Sequence, residues 1–469
     1  MLICQAEIDF YRATGARRVD VRIEDGCVHS MATQLAPRPG EAVIDAQGQA
    51  LLPGLHDHHL HLAALAVALD SLSCGPPEVV TAESLADALQ QRAARRDDDA
   101  WIRGVGYHES VAGDIDRHWL DRVVPQRPVR IQQRSGRLWI CNSRALERLG
   151  IASHGDGRLL DADDLLRQRL PRRFPSLQRA SQQLARQGVT GVTDATPYND
   201  RAQFQHFAAA CAAGELQQAV LLMGDASLDD LPLMTDPGQG MSLARGANKF
   251  HLHEYALPDF DALVAAMQRS HAADRPVAVH CVTVAELVFA LGALAVAGGH
   301  PGDRIEHAAL VPPEVVPLLA TCAVTVVTQP NFIYARGDAY QREVEAADQP
   351  WLYRLRGLQE AGIALAGSTD APFGEAQPWQ AMQAAVERRS REGLLLGATE
   401  ALSPEAALRL FLSPLSAPGA AARCIEVGAP ADLCLLDRPW LQARRALGAV
   451  QVAATFRNGV PLHVHKPTT

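Results

Sequence analysis

The chain has 469 residues, 48% of them hydrophobic and 21% charged, with a formal net charge of -9. That length exceeds one small core and suits a large barrel with an accessory domain, while the mildly acidic balance, with no basic run, argues against a nucleic-acid partner. The longest apolar run, 287–297, is too short to cross a bilayer, so no membrane partner is expected.

The N-terminus does not read as a signal peptide, because Gln5, Glu7 and Asp9 interrupt its apolar residues. The nine cysteines form no CxxC pair and read as reduced, buried thiols. A cytoplasmic location is therefore expected.

The first fifty residues read as strands. Val19, Val21 and Ile23 alternate with Asp20, Arg22 and Glu24, and Asp25-Gly26 makes a turn. Strand signals return at the far end: Asp432 to Asp437 is a short buried run, and Asn458-Gly459 joins two strands as a hairpin. Residues 1–52 and 420–469 are thus expected to build one composite β-sandwich domain.

Between them, apolar strands alternate with helical segments. Strands are predicted at 51–61, 189–194, 219–223, 249–253, 277–280, 304–307, 324–329 and 363–368. Most steps from the second strand onward are about 30 residues, as eight βα units of a ~250-residue barrel require. A helix is predicted over 259–270, with Phe260, Leu263, Val264 and Met267 on one face. A Rossmann fold also alternates, but no GxGxxG follows an early strand. The fold class is therefore α/β: a (β/α)8 TIM barrel over 53–419, with an insertion at about 65–185 after strand 1. A helix over 82–95 and strands at 101–105 and 129–133 are predicted inside that insertion.

The strongest local signal is Pro53-Gly54-Leu55-His56-Asp57-His58-His59-Leu60-His61. Histidines at i and i+2 of a strand project from one face, so His59 and His61 can grip one metal ion. His280, His307 and Asp370 each end or follow a predicted strand, and Lys249 opens one. Singly, each has an ordinary explanation: a hydrogen-bonded strand-end histidine, a turn aspartate before Ala371-Pro372, a surface lysine. Their coincidence in strand order is what points to a metal centre.

With these residues in place, the chain resembles the amidohydrolase superfamily, in particular its amidohydrolase-3 branch, which includes N-substituted formamide deformylases. Glu24-Asp25-Gly26, Val43-Ile44-Asp45-Ala46-Gln47-Gly48 and Val427-Gly428-Ala429-Pro430-Ala431-Asp432-Leu433 carry the resemblance at the two ends. The resemblance implies two divalent metal ions, zinc fitting the N/O donors. It implies His59, His61, Lys249 and Asp370 around the buried ion, and Lys249, His280 and His307 around the outer one. Lys249 is then carboxylated by CO2, since an ammonium has no lone pair to give. A metal-bridging hydroxide would attack the carbonyl of a small-molecule amide, formamide or cyclic amide. Asp370 would act as general base and then acid. A homo-oligomer stays open.

Three stretches depart from the family pattern. Arg137 stands where relatives often have histidine, in Ser135-Gly136-Arg137. His253-Glu254 replaces an Asp-Gly pair after the strand-4 lysine, and His280-Cys281-Val282-Thr283 lacks the usual Gly-Asp. Substrate contacts are expected from Arg137, Tyr107, His108, His253 and Gln329, Arg137 as an anchor for an anionic group or else paired with Glu109 or Asp194. Trp139 is read as core packing. Glu306, next to His307, is expected to point the other way and to serve as a second-shell or core-pairing residue. Two other functions are weighed. A deaminase of the same superfamily would carry glutamate where Thr283 stands and would lack Lys249. A non-catalytic scaffold would have lost the ligands.

Overall fold

The computed structural model describes residues 1–13, 15–76, 78–94, 101–134, 136–170, 174–231 and 242–465. Arg95 of the predicted helix, Ser135 of the family motif and the last four residues of the 420–469 segment lie outside that set. Two compact units are formed, one from residues 1–64 and 176–469, the other from residues 65–175.

The first unit contains an eight-stranded sheet in which every strand lies beside its sequence neighbours. In chain order these strands are β1 (Leu55–Leu60), β2 (Val189–Asp194), β3 (Ala219–Gly224), β4 (Leu243–His251), β5 (Val277–Cys281), β6 (Arg304–His307), β7 (Thr325–Thr328) and β8 (Leu365–Gly367). All neighbouring pairs are parallel. The seam between β8 and β1 is bridged at its C-terminal end: Asp370 N donates to His59 O at 2.9 Å and His61 N to Ala371 O at 2.8 Å. This is the (β/α)8 barrel. Its strands are buried on both faces, which is why they read as near-continuous apolar runs. The helix over Phe260–Ala272 buries Leu263, Val264 and Met267, and Asp259 caps it by accepting from Ala262 N, as the apolar spacing predicts.

The predicted strand 51–61 is two strands. Leu51–Pro53 pairs antiparallel with Leu433–Leu436 in a terminal sheet, and β1 begins after Gly54. A Cβ at Gly54 would lie 2.2 Å from Thr190 Cγ2, so only glycine lets the chain pass there.

The termini form two four-stranded sheets, one from Leu2–Ile8, Arg17–Glu24, Cys27–Ala32 and Val43–Asp45, the other from Leu51–Pro53, Leu433–Leu436, Val452–Arg457 and Val460–Val464. Ile3, Val21, Ile23, Leu51, Leu433 and Phe456 meet in one buried cluster between them. The final hairpin turns on Asn458 and Gly459, both at positive φ (48° and 72°), the backbone that a two-residue hairpin turn demands.

The 65–175 unit is built on a five-stranded sheet with spatial order Arg158–Leu160, Leu138–Cys141, Val129–Gln133, Ile102–Tyr107, Leu72–Ser73. Trp139 is buried with Leu146, Leu149 and Leu159 in one of its cores. All nine cysteines are free thiols, and no helix among the described residues is long and apolar enough to cross a membrane.

Candidate metal centre

The C-terminal ends of five barrel strands bring the ligand candidates together. On β1, strand alternation turns Asp57, His59 and His61 to the same side, so that His59 and His61 pack with ring centroids 5.4 Å apart. Asp370, three residues beyond β8, sets one carboxylate oxygen 3.5 Å from His59 Nε2 and 3.3 Å from His61 Nε2. The donor atoms of these three residues lie within 4.8 Å of one another. His307 packs against His59 at 4.8 Å, and His280 against His307 at 4.4 Å.

Three of the four histidines have one ring nitrogen already engaged. His59 Nδ1 is bonded to the Glu306 carboxylate, His61 Nδ1 to the Thr196 hydroxyl at 2.8 Å, and His307 Nδ1 to Gln329 Oε1 at 2.7 Å. A proton fixed on Nδ1 leaves the Nε2 lone pair as the metal-binding end. Burial drives the pKa of both His59 and His307 down to about 3. The imidazoles are neutral, as ligands must be.

Lys249 is buried on β4, and its Nζ has no hydrogen-bond partner; Asp370 Oδ1 is likewise buried without one. Burial lowers the Lys249 pKa to about 8, against the opposing pull of Glu306. Two orphaned polar atoms of opposite charge among neutral imidazoles fit a bound cation better than they fit a closed core.

Glu306 corrects the reading from strand alternation. It does not point away from the site: Arg304 and Glu306, two apart on β6, form an ion pair whose carboxylate also meets His59. The reason is local. His307 has φ +70°, and Ala308 and Asp370 also take positive φ (45° and 55°). This costs a non-glycine residue on the order of 1–2 kcal/mol. The left-handed step breaks the two-residue alternation, so Glu306 and His307 both reach the site. Burial opposes ionisation of Glu306, but Arg304, Lys249 and His59 outweigh it and hold its pKa well below the carboxylate range.

The other expected contacts have varied settings. Gln329 is fully buried behind His307, its amide nitrogen donating to Ser368 Oγ at 2.9 Å. His253 is exposed, two residues beyond the end of β4. In the 65–175 unit, Tyr107 is buried with its hydroxyl donating to Gly113 O at 2.6 Å. His108 caps the helix Glu109–Ala112. Arg137 forms a two-pronged contact with Asp161, not with Glu109 or Asp194.

Four residues escaped the sequence reading. Thr196 carries no motif, and Glu286 is the last residue of a Thr283-x-x-Glu286 capping box, which marks a helix start and not a site. Asp57 lay inside the quoted run, and the period of two already placed it on the face of His59. It takes hydrogen bonds from Thr369 N and Oγ1 at 3.1 and 2.5 Å, while burial lifts its pKa to about 7. His251 shares the β4 face with Lys249, and the same period could have found it.

The pattern of the amidohydrolase family matches residues 42–463. The N-substituted formamide deformylase of Arthrobacter pascens is 24% identical over a 530-residue alignment that covers 98% of this chain and 97% of that protein. Among solved structures, an uncharacterized metal-dependent hydrolase from Pyrococcus horikoshii OT3 superposes with a TM-score of 0.79 at 20% identity, covering 96% of this chain and 99% of its own. The 5-methylcytosine deaminase of Klebsiella pneumoniae shares the fold more distantly, with a TM-score of 0.52 at 16% identity over 100% of this chain and 98% of its own.

Proposed function

The chain belongs to the amidohydrolase family, enzymes that hydrolyse carbon–nitrogen bonds other than peptide bonds, and from that premise we propose that it cleaves a small amide, formamide or cyclic amide at a two-metal centre. The observation that carries the reading is the pair of buried atoms Lys249 Nζ and Asp370 Oδ1, neither with a hydrogen-bond partner among the described residues, within a cluster of four histidines.

His59, His61 and Asp370 would hold one ion, and His280 and His307 a second, zinc suiting this N/O donor set. Lys249 would join the two once its neutral amine has added CO2, a step that forms an N–C bond and releases one proton. Burial favours that step by holding the amine near pH 8. When bound, such ions polarise a carbonyl and bring the pKa of water down to about 7.

The chain's own contribution is orientation and proton transfer. Glu306, Thr196 and Gln329 aim three imidazoles. Asp370, with a free oxygen at the site, accepts the proton of the attacking water and delivers it to the leaving nitrogen. The deaminase reading is weaker. The position three residues after His280 is Thr283, whose hydroxyl caps the following helix by accepting from Glu286 N at 3.2 Å, and it offers no carboxylate to a ring nitrogen.

Replacing Lys249 tests the proposal. Lys249→Ala should lose at least one ion per chain by elemental analysis, and short carboxylic acids should restore part of the activity on an N-acyl or cyclic amide. Full metal content and full rate in Lys249→Ala would remove the bridge.

A further inference from the structure

The four clustered histidines are not held alike. His59, His61 and His307 each have Nδ1 hydrogen-bonded to a side chain. His280 makes no side-chain hydrogen bond among the described residues, yet it stands where a second ion would be held. Its ring is located by packing alone. On one side lies His307, 4.4 Å away at 72°, and on the other His251, 4.1 Å away at 58°.

His251 does not lie there by chance of an exposed loop. It ends β4, two residues beyond Lys249, and pairs in register with His280 of β5. Behind it a row of rings continues outward. His253 packs on His251 at 4.3 Å, and Tyr255 stacks on His253 at 5.3 Å and 22°. The backbone that carries the row is tied down by one carboxylate. Glu286, itself buried, accepts from Glu254 N at 2.9 Å through one oxygen, and from Val282 N and Thr283 N at 2.7 and 3.1 Å through the other. That clip joins the segment after β4 to the segment after β5, the two that directly follow the strands of His251 and His280.

From this contrast we infer that His251 is a positioning residue for the second metal ion: its ring, backed by His253 and Tyr255 and fixed by the Glu286 clip, does for His280 what a hydrogen-bond partner does for the other three. The inference rests on the two-metal reading above. Ring packing of this kind is directional, and supports behind metal ligands are commonly worth ten- to hundred-fold in affinity. It also requires only a ring at position 251, neither a donor nor an acceptor nitrogen, which separates it from ligation and from hydrogen bonding.

Chelator-treated full-length protein titrated with Co2+, followed by visible absorption and elemental analysis, reads each ion separately. The wild type should take two ions, and His280→Ala should identify the weaker one by losing it. His251 is exposed, so its substitution leaves the fold intact. His251→Ala should weaken that same ion by ten- to hundred-fold and spare the tighter one. His251→Phe, which keeps a ring but no nitrogen, should bind within about three-fold of wild type. Wild-type binding of both ions by His251→Ala would overturn the inference, as would a His251→Phe as defective as the alanine variant. A wild-type chain that takes up a single ion would overturn the two-metal reading, and the inference with it.

Discussion

The two sides of the metal centre are built by different means. On the side of β1 and β8, His59, His61 and Asp370 are held by hydrogen bonds and by the barrel seam itself, since Asp370 N bonds to His59 O. Their donor atoms converge without help. On the side of β4 and β5, Lys249 has no partner for its Nζ and His280 is located by neighbouring rings. One side is organised by amino acids alone. The other, on the function proposed above, would be completed by a carbon added to Lys249, a group the twenty side chains do not supply. A site assembled in this way should bind its two ions with unequal strength, and the tighter ion belongs on the β1–β8 side.

The largest expected effect probes the organised side. Asp370→Asn keeps the shape and a ligating oxygen but cannot carry a proton, so the rate should fall by about 10^2 to 10^4. Metal content should fall less than in His59→Ala. A near-normal rate in Asp370→Asn would take proton transfer away from this residue.

A smaller effect separates the sides. Glu306→Gln removes the charge facing Arg304, Lys249 and His59, leaving the cations of Arg304 and Lys249 buried without it. The tight ion should lose about 10- to 100-fold in affinity, while the ion held by His280 and His307 changes less. Equal weakening of both in a metal titration would show that Glu306 supports the centre as a whole.

The last effect is on stability with pH and is read on metal-free protein. His56, His58, His59, His280 and His307 all have pKa values lowered chiefly by burial. In metal-free protein the unfolded chain therefore takes up protons first as pH falls below about 6.5, the ordinary histidine value. The stability these groups contribute is present above that pH and is lost on acidification toward about 3. Asp57, raised to about 7, works in the opposite direction between 7 and 3.8, where its folded form holds the extra proton. It offsets one histidine of five. The Tm of metal-free protein should fall from pH 7 to pH 5, as the free energy of unfolding drops by up to about 1.4 kcal/mol per pH unit for each net proton. Metal-loaded protein should fall less. A flat Tm in the metal-free form would mean that these histidines are not held neutral.

Arg137 shows a limit of reading residues from a family pattern. Its place in a motif made it either a substrate anchor or the partner of a protein carboxylate at Glu109 or Asp194, and the carboxylate its fork faces is Asp161, in an exposed pair. Side-chain pairing across a sheet depends on register, and Arg137 and Asp161 are linked because Leu138 and Leu160 are cross-strand neighbours. No spacing in the linear chain announces that.

What the sequence by itself determined is the periodic part. Apolar runs about 30 residues apart required a barrel, and the period of two put His59 with His61 and left His251 beside Lys249 for the reading to find. Tertiary structure decided the rest. The positive φ at His307 brought His307 to the same site as Glu306, where alternation put the two on opposite faces. The seam between β8 and β1 set Asp370 against two imidazoles, and a buried carboxylate at Glu286 clipped Glu254, 32 residues away, to Val282 and Thr283. The physical reason is common to all three. Periodicity is a property of one strand and survives in the sequence, whereas a backbone departure from it, or a contact between strands, is stabilised by groups distant in the chain.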